Sequence, residues 1–315
     1  MKVRVVGAGI VGLACALRLR EAGHEVELVA ADRPENTTSS VAAALWYPYR
    51  ALPEQAVTRW AARTYEVLAG MLDRPDTGVS LRTGRELFPR PTGDPWWADA
   101  VPTLERVPPA GLPTGYADGL TFAAPVVDMG THLAWLLDRV RSLGVGVTWG
   151  RVRHLTDALA GVDAVVNCTG LGARELVHDL TMTPVRGQVV IVEQNGLDAW
   201  TLDQSDPRRP TYVVPRAGTI VLGGTAEESD EDRAVRPETA SAILERCSAL
   251  VPQVAGARIL GHRVGLRPAR PAVRLEAEDH AGRGLVVHCY GHGGAGVTLS
   301  YGCADDVVRL VSERA

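Results

Sequence analysis

Aromatic residues, cysteines and net charge are all scarce in this chain of 315 residues. It has two phenylalanines and five cysteines, and its formal net charge is −4. A charge this small gives no general electrostatic reason to expect binding to nucleic acid or to an anionic membrane. No apolar run is long enough to cross a bilayer. We therefore expect neither a nucleic-acid partner nor a membrane partner.

The cysteines form no CxxC pair, and none stands beside histidines at the spacing of a metal site. We therefore predict no metal site and interpret the cysteines as small buried residues of a protein in a reducing compartment. A single disulfide involving Cys247 is left open. The five are Cys15, Cys168, Cys247, Cys289 and Cys303.

Glycine, by contrast, is abundant, with 33 residues, and the first of them have GxGxxG spacing. Residues 1–33 have the pattern of a strand, a glycine loop, a helix and a second strand that ends near Asp32. Gly7 permits a tight turn, Gly9 lets the backbone approach a pyrophosphate, and Gly12 lets the helix pack closely. The helix N-terminus attracts phosphate, and the later carboxylate can bind ribose hydroxyls. The pattern predicts a dinucleotide site without distinguishing NAD from FAD.

The same N-terminal apolar run has a second interpretation. It follows Lys2 and Arg4, and it has the length of a signal-peptide core. Its internal glycines, and the strand and acidic residue that follow it, favour the nucleotide-binding unit. We therefore expect a cytoplasmic protein.

A second strand, glycine loop and helix occupies residues 284–311, with glycines at 291, 293, 294 and 296. A dinucleotide needs one such loop for its pyrophosphate, so a second loop indicates another electron-rich target. The pyrimidine edge of a flavin fits, because a helix N-terminus favours the negative charge that develops there on reduction. The two loops together favour FAD. A glycine-rich turn that serves only packing is the alternative.

The α/β pattern stops after the first unit and returns later. A chain of this length favours two domains. A helix predicted at 55–72 leads into a Pro-rich region, and the α/β pattern resumes near residue 128. We predict an α/β fold with a Rossmann-like FAD-binding domain and a mixed-sheet substrate-binding domain, both discontinuous. The FAD-binding domain comprises 1–50, 128–184 and 258–315, and the substrate-binding domain comprises 51–127 and 185–257.

Stretches along nearly the whole chain resemble the D-amino-acid oxidase family of FAD-dependent enzymes, which also contains D-aspartate oxidase. They include GAGIVGL in the first loop, VAAALWYPY at 41–49, YVVP at 212–215, GLRPARPAVRLE at 265–276 and YGHGGAGVT at 290–298. The last two are close to signatures of that family. The resemblance implies the fold of that family and non-covalently bound FAD.

The resemblance also implies which residues hold the cofactor. It places the ADP half on the first glycine loop and the flavin on the second, with further contacts from the segments between them. The predicted cofactor residues are Gly7, Ala8, Gly9, Ile10, Val11, Gly12, Asp32, Arg33, Thr38, Ser39, Ala43, Ala44, Leu45, Val152, Thr169, Gly170, Arg267, Gly293, Gly294, Gly296, Val297 and Thr298.

For the substrate, the resemblance implies that Arg267 clamps the α-carboxylate and that Tyr212 adds a supporting hydroxyl. A guanidinium is a planar fork that binds a carboxylate through two hydrogen bonds, and this suits an arginine that is followed by a proline. Tyr49 and Gly294 complete the predicted catalytic set.

Other residues of these motifs receive lesser roles. The resemblance implies that Leu45, Tyr47 and Val214 shape the side-chain pocket together with Tyr49. Two more arginines stand in the same stretch as the predicted carboxylate clamp, and we interpret both as solvated or structurally paired. They are Arg270 and Arg274.

The reaction implied is the oxidation of neutral D-amino acids by hydride transfer to flavin N5, with dioxygen as the acceptor and an α-keto acid, ammonia and hydrogen peroxide as products. Alternatives are a D-aspartate oxidase, a glycine or sarcosine oxidase, and a flavoprotein without turnover. The loop before YVVP is shorter than in mammalian members and carries Arg208 and Arg209, which leaves acidic substrates open. The dimerisation loop of yeast members is absent, so a dimer of the yeast type is not implied. We expect a monomer or a homodimer.

Overall fold

A computed structural model describes residues 1–280 and 282–314. Within them the chain forms helices and strands joined by short 3-10 turns. The helices are α1 (Ile10–Glu21), α2 (Glu54–Ala69), α3 (Met129–Ser142), α4 (Leu155–Leu159), α5 (Ala173–Leu176), α6 (Pro237–Leu250) and α7 (Gly296–Ser312). The strands are β1 (Lys2–Val6), β2 (Glu25–Ala30), β3 (Val79–Phe88), β4 (Glu105–Arg106), β5 (Asp118–Val127), β6 (Gly146–Trp149), β7 (Ala164–Asn167), β8 (Thr183–Glu193), β9 (Trp200–Asp203), β10 (Thr211–Pro215), β11 (Thr219–Gly223), β12 (Glu227–Glu228), β13 (Ile259–Ala269), β14 (Arg274–Asp279) and β15 (Leu285–Tyr290).

The first sheet has six strands in the order β14-β15-β7-β1-β2-β6. Five neighbouring strands of this sheet, β15, β7, β1, β2 and β6, are parallel to one another. The sixth strand, β14, is antiparallel to β15. The N-terminal apolar run forms the central strand β1 and the helix α1, which packs against α3 and α7. This is the Rossmann-like sheet that the first glycine loop predicts.

One side of α3, which lies where the α/β pattern resumes, faces the core. Leu133, Leu136 and Val140 are buried in α3, and Leu137 and Leu143 are half-buried against the same cluster. Their spacing places them on one side of the helix, and α3 packs against α1. No helix of the described ranges is both long and apolar enough to span a membrane.

The second sheet is mixed. Its main path is β12-β8-β11-β10-β9-β3-β5-β4, and β13 also pairs with β8. β3 and β9 are parallel, and the other pairs are antiparallel. The main apolar cluster contains residues of both sheets, among them Val5 of β1 and Trp200 of β9. This shared core fixes the two sheets relative to each other.

The chain rejoins the first sheet at β14, which pairs with β15. The predicted FAD-binding domain resumes at residue 258, and its strand β13 pairs with β8 of the second sheet. The apolar pattern of a strand does not identify its partner, because pairing is decided by contacts between distant segments. The predicted division into domains stays a prediction.

Four of the five cysteines meet in the core, although their spacing in the chain predicts no cluster. The sulfur atoms of Cys15, Cys168 and Cys289 lie within 4.8 Å of one another, and Cys289 also forms such a group with His292 and Cys303. All five cysteines are free thiols. Burial raises the pKa of the Cys303 thiol well above its usual value. Neutral buried thiols pack as small apolar side chains.

Candidate active site

Several predicted cofactor residues directly follow strands of the first sheet, at the edge where its parallel strands end. Because the five parallel strands point the same way, their carboxyl ends meet there, and ligands of open α/β sheets bind at this edge. Gly7 follows β1, Asp32 follows β2, Val152 follows β6, Thr169 follows β7 and Gly293 follows β15. The strand order therefore brings together predicted cofactor residues from five separate segments.

The first glycine loop is packed too tightly for larger residues. Gly7 has a φ of +118°, and a Cβ on it would lie 2.9 Å from the carbonyl carbon of Cys168. A Cβ on Gly12 would overlap the carbonyl group of Gly7. The helix begins at Ile10, whose N–H donates to Ser39 Oγ at 3.1 Å.

The N-terminus of α1 can receive an anion. The N-cap residue Gly9 has no side chain that could cap the helix, and the first turn carries no acidic residue. The N–H groups at the start of a helix have no acceptor within the helix, and they carry part of the positive end of its dipole. These N–H donors lie next to the glycine loop, whose backbone a ligand can approach closely, and they fit the pyrophosphate of a dinucleotide.

The far end of this edge is open to solvent. Asp32 and Arg33 are exposed, and Val152 is half-buried. The Arg33 guanidinium lies 5.2 Å from the ring centroid of Trp149, a cation–π distance. Exposure suits the adenosine end of a long cofactor.

The segment 37–50 is tied to the second sheet by polar contacts. Thr38 Oγ1 donates to the carbonyl of Leu266 at 2.9 Å. The buried guanidinium of Arg216 donates to the carbonyls of Ala42 and Ala43 at 2.5 Å and 3.0 Å. Arg216 was not predicted as a site residue, although it directly follows the YVVP motif. It fixes the path of the segment that carries several predicted cofactor residues.

Two further predicted residues contact neighbouring backbone. Leu45 forms an isolated β-bridge with Val126. The Thr169 hydroxyl donates to Asn167 Oδ1 at 2.7 Å, and Gly170, with a φ of +55°, follows directly. These contacts hold both segments at the sheet edge.

The second glycine loop leads into another uncapped helix. Gly293 donates to the carbonyl of Pro268 at 2.9 Å, so the loop lies beside the strand of Arg267. α7 begins at Gly296, with no side-chain cap and no acidic residue in its first turn. Thr298 Oγ1 donates to the carbonyl of Tyr47 at 2.9 Å. A positive helix end next to this strand fits the electron-rich edge of a flavin.

The guanidinium of Arg267 is available to a ligand. Its Nη1 donates to the carbonyl of Thr225 at 2.8 Å, and no Asp or Glu within the described ranges forms an ion pair with it. A Cβ on Gly187 of β8 would lie 2.6 Å from Cζ of Arg267. That glycine, which was not predicted as a site residue, makes the room that the guanidinium occupies.

The other three predicted catalytic residues surround Arg267. Tyr212 of β10 lies beside it, and burial raises the pKa of the Tyr212 phenol, so the hydroxyl stays protonated and can donate. The Tyr49 hydroxyl is buried and finds no hydrogen-bond partner among the residues that the structure describes. A Cβ on Gly294 would lie 2.5 Å from Cδ1 of Tyr49 and 3.5 Å from Cδ of Arg267. An unpaired guanidinium beside an unsatisfied hydroxyl and a protonated phenol is a set of donors that a carboxylate satisfies.

A cavity of about 440 Å³ adjoins this cluster through Tyr49. Tyr47, as predicted, is among its lining residues, together with Glu86 and Gln204, which were not predicted. Leu45 and Val214 pack in the main core and are not among the lining residues. Glu86 lies on β3 and Gln204 directly follows β9, and the quoted motifs cover neither residue.

Arg208 and Arg209 line a different cavity, of about 660 Å³, together with Arg246. Arg209 Nε donates to Asp206 Oδ2 at 2.8 Å. Neither Arg208 nor Arg209 lines the cavity that contains Tyr49. Their position therefore does not support an acidic substrate side chain in that cavity.

The interpretation of the remaining arginines as structurally paired is confirmed. Arg270 Nε donates to Asp179 Oδ2 at 2.9 Å. Arg274 donates to Glu276 at 2.6 Å and also pairs with Glu278. These arginines are neutralised by neighbours, in contrast to Arg267.

Comparison with known proteins places these features in a family. A family model described as FAD-dependent oxidoreductase matches residues 2–310. The chain is 51% identical to a D-amino-acid oxidase of Rubrobacter xylanophilus over 307 residues, which cover 97% of this chain and 94% of that protein. It is 35% identical to the D-aspartate oxidase of Homo sapiens over 326 residues, covering 99% of this chain and 95% of the relative.

The fold is similar to that of solved structures. A crystal structure of glycine oxidase from Geobacillus kaustophilus matches with a TM-score of 0.83 at 20% identity, covering 99% of this chain and 94% of the other. At this identity the likeness concerns the fold alone. The two-sheet architecture is thus shared well beyond the close relatives.

Proposed function

The chain belongs to the D-amino-acid oxidase family of FAD-dependent oxidoreductases, and on that premise we propose that it oxidises D-amino acids to α-keto acids, ammonia and hydrogen peroxide. The observation that supports this most directly is the unpaired guanidinium of Arg267 beside the unsatisfied Tyr49 hydroxyl. FAD, when bound, accepts a hydride from the substrate α-carbon and passes the electrons to dioxygen.

The cofactor would be held by the two uncapped helix ends. The N-terminus of α1, with Gly7 and Gly12 behind it, is suited to the pyrophosphate. The N-terminus of α7, preceded by Gly293 and Gly294, is suited to the flavin ring. Each end offers backbone N–H groups and a partial positive charge.

Arg267 would bind the substrate α-carboxylate through two parallel hydrogen bonds. Tyr212 and Tyr49 add hydroxyl donors from two other directions. With the carboxylate fixed and the side chain directed into the cavity next to Tyr49, one face of the substrate α-carbon is presented to the cofactor. The enantiomer is selected by this geometry.

None of the four predicted catalytic residues is a carboxylate or an imidazole. The substrate amine therefore has to lose its excess proton to solvent before oxidation, and no residue of the anchor removes a proton from the α-carbon. The residues of the site bind and orient the substrate, which is a contribution of proximity and alignment.

We place the protein in the cytoplasm, as a monomer or a homodimer. Its five thiols are free, which suits a reducing compartment. Gel filtration of the purified holoprotein against its calculated mass of 33.6 kDa measures the oligomeric state.

Spectroscopy of the purified protein tests the proposed function. We expect a yellow protein whose visible flavin absorbance is bleached by D-alanine without air, returns when air is admitted, and is unaffected by L-alanine. D-aspartate in a parallel sample distinguishes an oxidase of acidic substrates. A yellow protein that no D-amino acid bleaches would contradict the proposal.

Tyr212→Phe is expected to lower kcat/KM for D-alanine by about 10- to 150-fold, because it removes one hydrogen bond to a charged carboxylate, worth about 1.5–3 kcal/mol. Steady-state oxygen consumption measures the effect, and flavin content controls for cofactor loss. Complete inactivation of a fully flavinated variant would show that the hydroxyl does more than support the carboxylate.

A further inference from the structure

Glu86 is a buried carboxylate at the wall of the substrate cavity. It lies on β3, is 3% exposed, and lines the cavity of about 440 Å³ with Tyr49. The Tyr47 hydroxyl lies 2.8 Å and 2.9 Å from its two oxygens, and Gln204 Nε2 donates to Oε1 at 3.2 Å. A carboxylate offers about four acceptor sites, and one phenol proton and one amide donor leave part of this capacity unused.

The charge of Glu86 has no partner in the protein. Within the described ranges no lysine, arginine or histidine forms an ion pair with it. Burial raises the pKa of Glu86 to about 7, Asp203 adds to the rise, and the hydrogen bonds from Tyr47 and Gln204 oppose it. A buried and unpaired carboxylate is costly, so a cation that enters the cavity would relieve an existing penalty.

The register of the second sheet directs Glu86 toward the anchor. Tyr212 is paired with Leu202 of β9, and Leu202 is paired with Glu86 of β3. Directly paired residues project from the same face of a sheet. Tyr212 and Glu86 therefore share a face two strands apart, with about 10 Å between their α-carbons at about 4.8 Å a strand. A substrate anchored beside Tyr212 can direct a long side chain along this face.

The other charged groups near the cavity do not duplicate Glu86. Arg50 lines the mouth, where its half-exposed side chain lies 3.9 Å from Glu228 and 5.5 Å from the centroid of the Tyr49 ring. Asp203 accepts a hydrogen bond from Tyr116 at 2.7 Å and does not line the cavity. Among the described lining residues, Glu86 is thus the acidic group inside the cavity, and Arg50 is the cation at its entrance.

We propose that Glu86 selects D-amino acids whose side chain ends in a cation, such as D-arginine and D-lysine, over neutral side chains of the same shape. The inference rests on the proposed function, because it takes the α-carboxylate to be bound by Arg267. Glu86 contacts the distal end of the side chain and takes no part in the oxidation. Small neutral D-amino acids leave this end of the cavity unused and are still oxidised.

The test compares D-arginine with D-citrulline, which has nearly the same shape without the charge. The ratio of their kcat/KM values is measured for the wild-type holoenzyme, for Glu86→Gln and for Asp203→Asn. We expect the wild type to prefer D-arginine and Glu86→Gln to lower the ratio by about 10- to 100-fold, the value of a charge-assisted hydrogen bond. Asp203→Asn removes a neighbouring charge outside the cavity and should change the ratio by no more than about twofold.

D-norleucine provides the reference for catalysis. Its turnover should be retained in Glu86→Gln, which shows that the variant is folded and carries FAD. If the variants oxidise D-norleucine and the D-arginine to D-citrulline ratio is the same with and without Glu86, this inference is wrong and the proposed function stands. If the wild type oxidises no D-amino acid, the proposed function itself fails.

The pH dependence supplies a second readout. Because Glu86 becomes charged as the pH rises through about 7, the preference for D-arginine should increase over that interval in the wild type. Titration of the substrate amine affects both substrates alike and cancels in the ratio. In Glu86→Gln the ratio should be flat. A wild-type ratio that falls with rising pH would exclude this role for the carboxylate.

Discussion

Replacing Arg267 with leucine is expected to lower kcat/KM for D-alanine by about 100- to 1,000-fold, mainly through KM. Removing one partner of a buried charge pair costs about 2–5 kcal/mol, because the substrate carboxylate would enter the site without a counter-charge. The guanidinium has no ion-pair partner among the described residues, so its loss leaves no carboxylate of the protein unpaired. Steady-state kinetics over a wide range of substrate concentration separates KM from kcat.

Two further variants test whether the effect is specific to the guanidinium of Arg267. Arg267→Lys keeps the charge without the bidentate fork and should lie between the wild type and the leucine variant. Arg263→Leu alters an exposed arginine on the same strand and should leave the kinetics close to those of the wild type. Near-normal KM in Arg267→Leu would remove the carboxylate anchor from this site.

Gly12→Ala is expected to weaken FAD binding by about 100-fold. The added Cβ would lie 2.8 Å from the carbonyl carbon of Gly7 and 3.3 Å from Cβ of Cys168. Overpacking costs about 1–3 kcal/mol, and a backbone carbonyl cannot rotate away as a flexible side chain can. The start of α1 has to move away from the loop that would cradle the pyrophosphate. Titration of the apoprotein with FAD, followed by the quenching of flavin fluorescence, measures the change.

Gly146→Ala is the matched control for this substitution. A Cβ at Gly146 meets no atom within 4 Å, and the position lies at the beginning of β6, away from the carboxyl ends of the strands. It should bind FAD as the wild type does. Circular dichroism of both variants establishes that they are folded. Tight flavin binding by a folded Gly12→Ala would mean that the pyrophosphate lies elsewhere.

The first unit could be predicted from the sequence because its information is local. One strand, one loop and one helix are continuous in residues 2–21, and the glycine spacing reports backbone requirements that residues with a side chain do not meet. The second glycine loop could be predicted from the sequence for the same reason. Arg267 was identified through its motif, and its unpaired state could not be known, since pairing depends on which distant strands surround it.

Glu86 could not be identified from the sequence. It lies in a region dense in prolines and turns, where a glutamate in a strand is most often on the solvent side. Its hydrogen-bond partners Tyr47 and Gln204 are 39 and 118 residues away in the chain. Gly187 was missed for a similar reason, because the guanidinium it accommodates belongs to another strand. The local sequence pattern also does not indicate which of the two sheets β13 joins.

The position of β15 in the first sheet has a consequence for biosynthesis. β15 lies between β7 and β14, and α7 packs against α1 and α2. The ribosome therefore releases most of the chain while β7 still lacks β15, its neighbour on the side away from β1. An unpaired strand edge invites association with other nascent chains. A premature stop that removes the last thirty or so residues would delete β15 and α7 and leave the core incomplete. We expect proteases to degrade such a product.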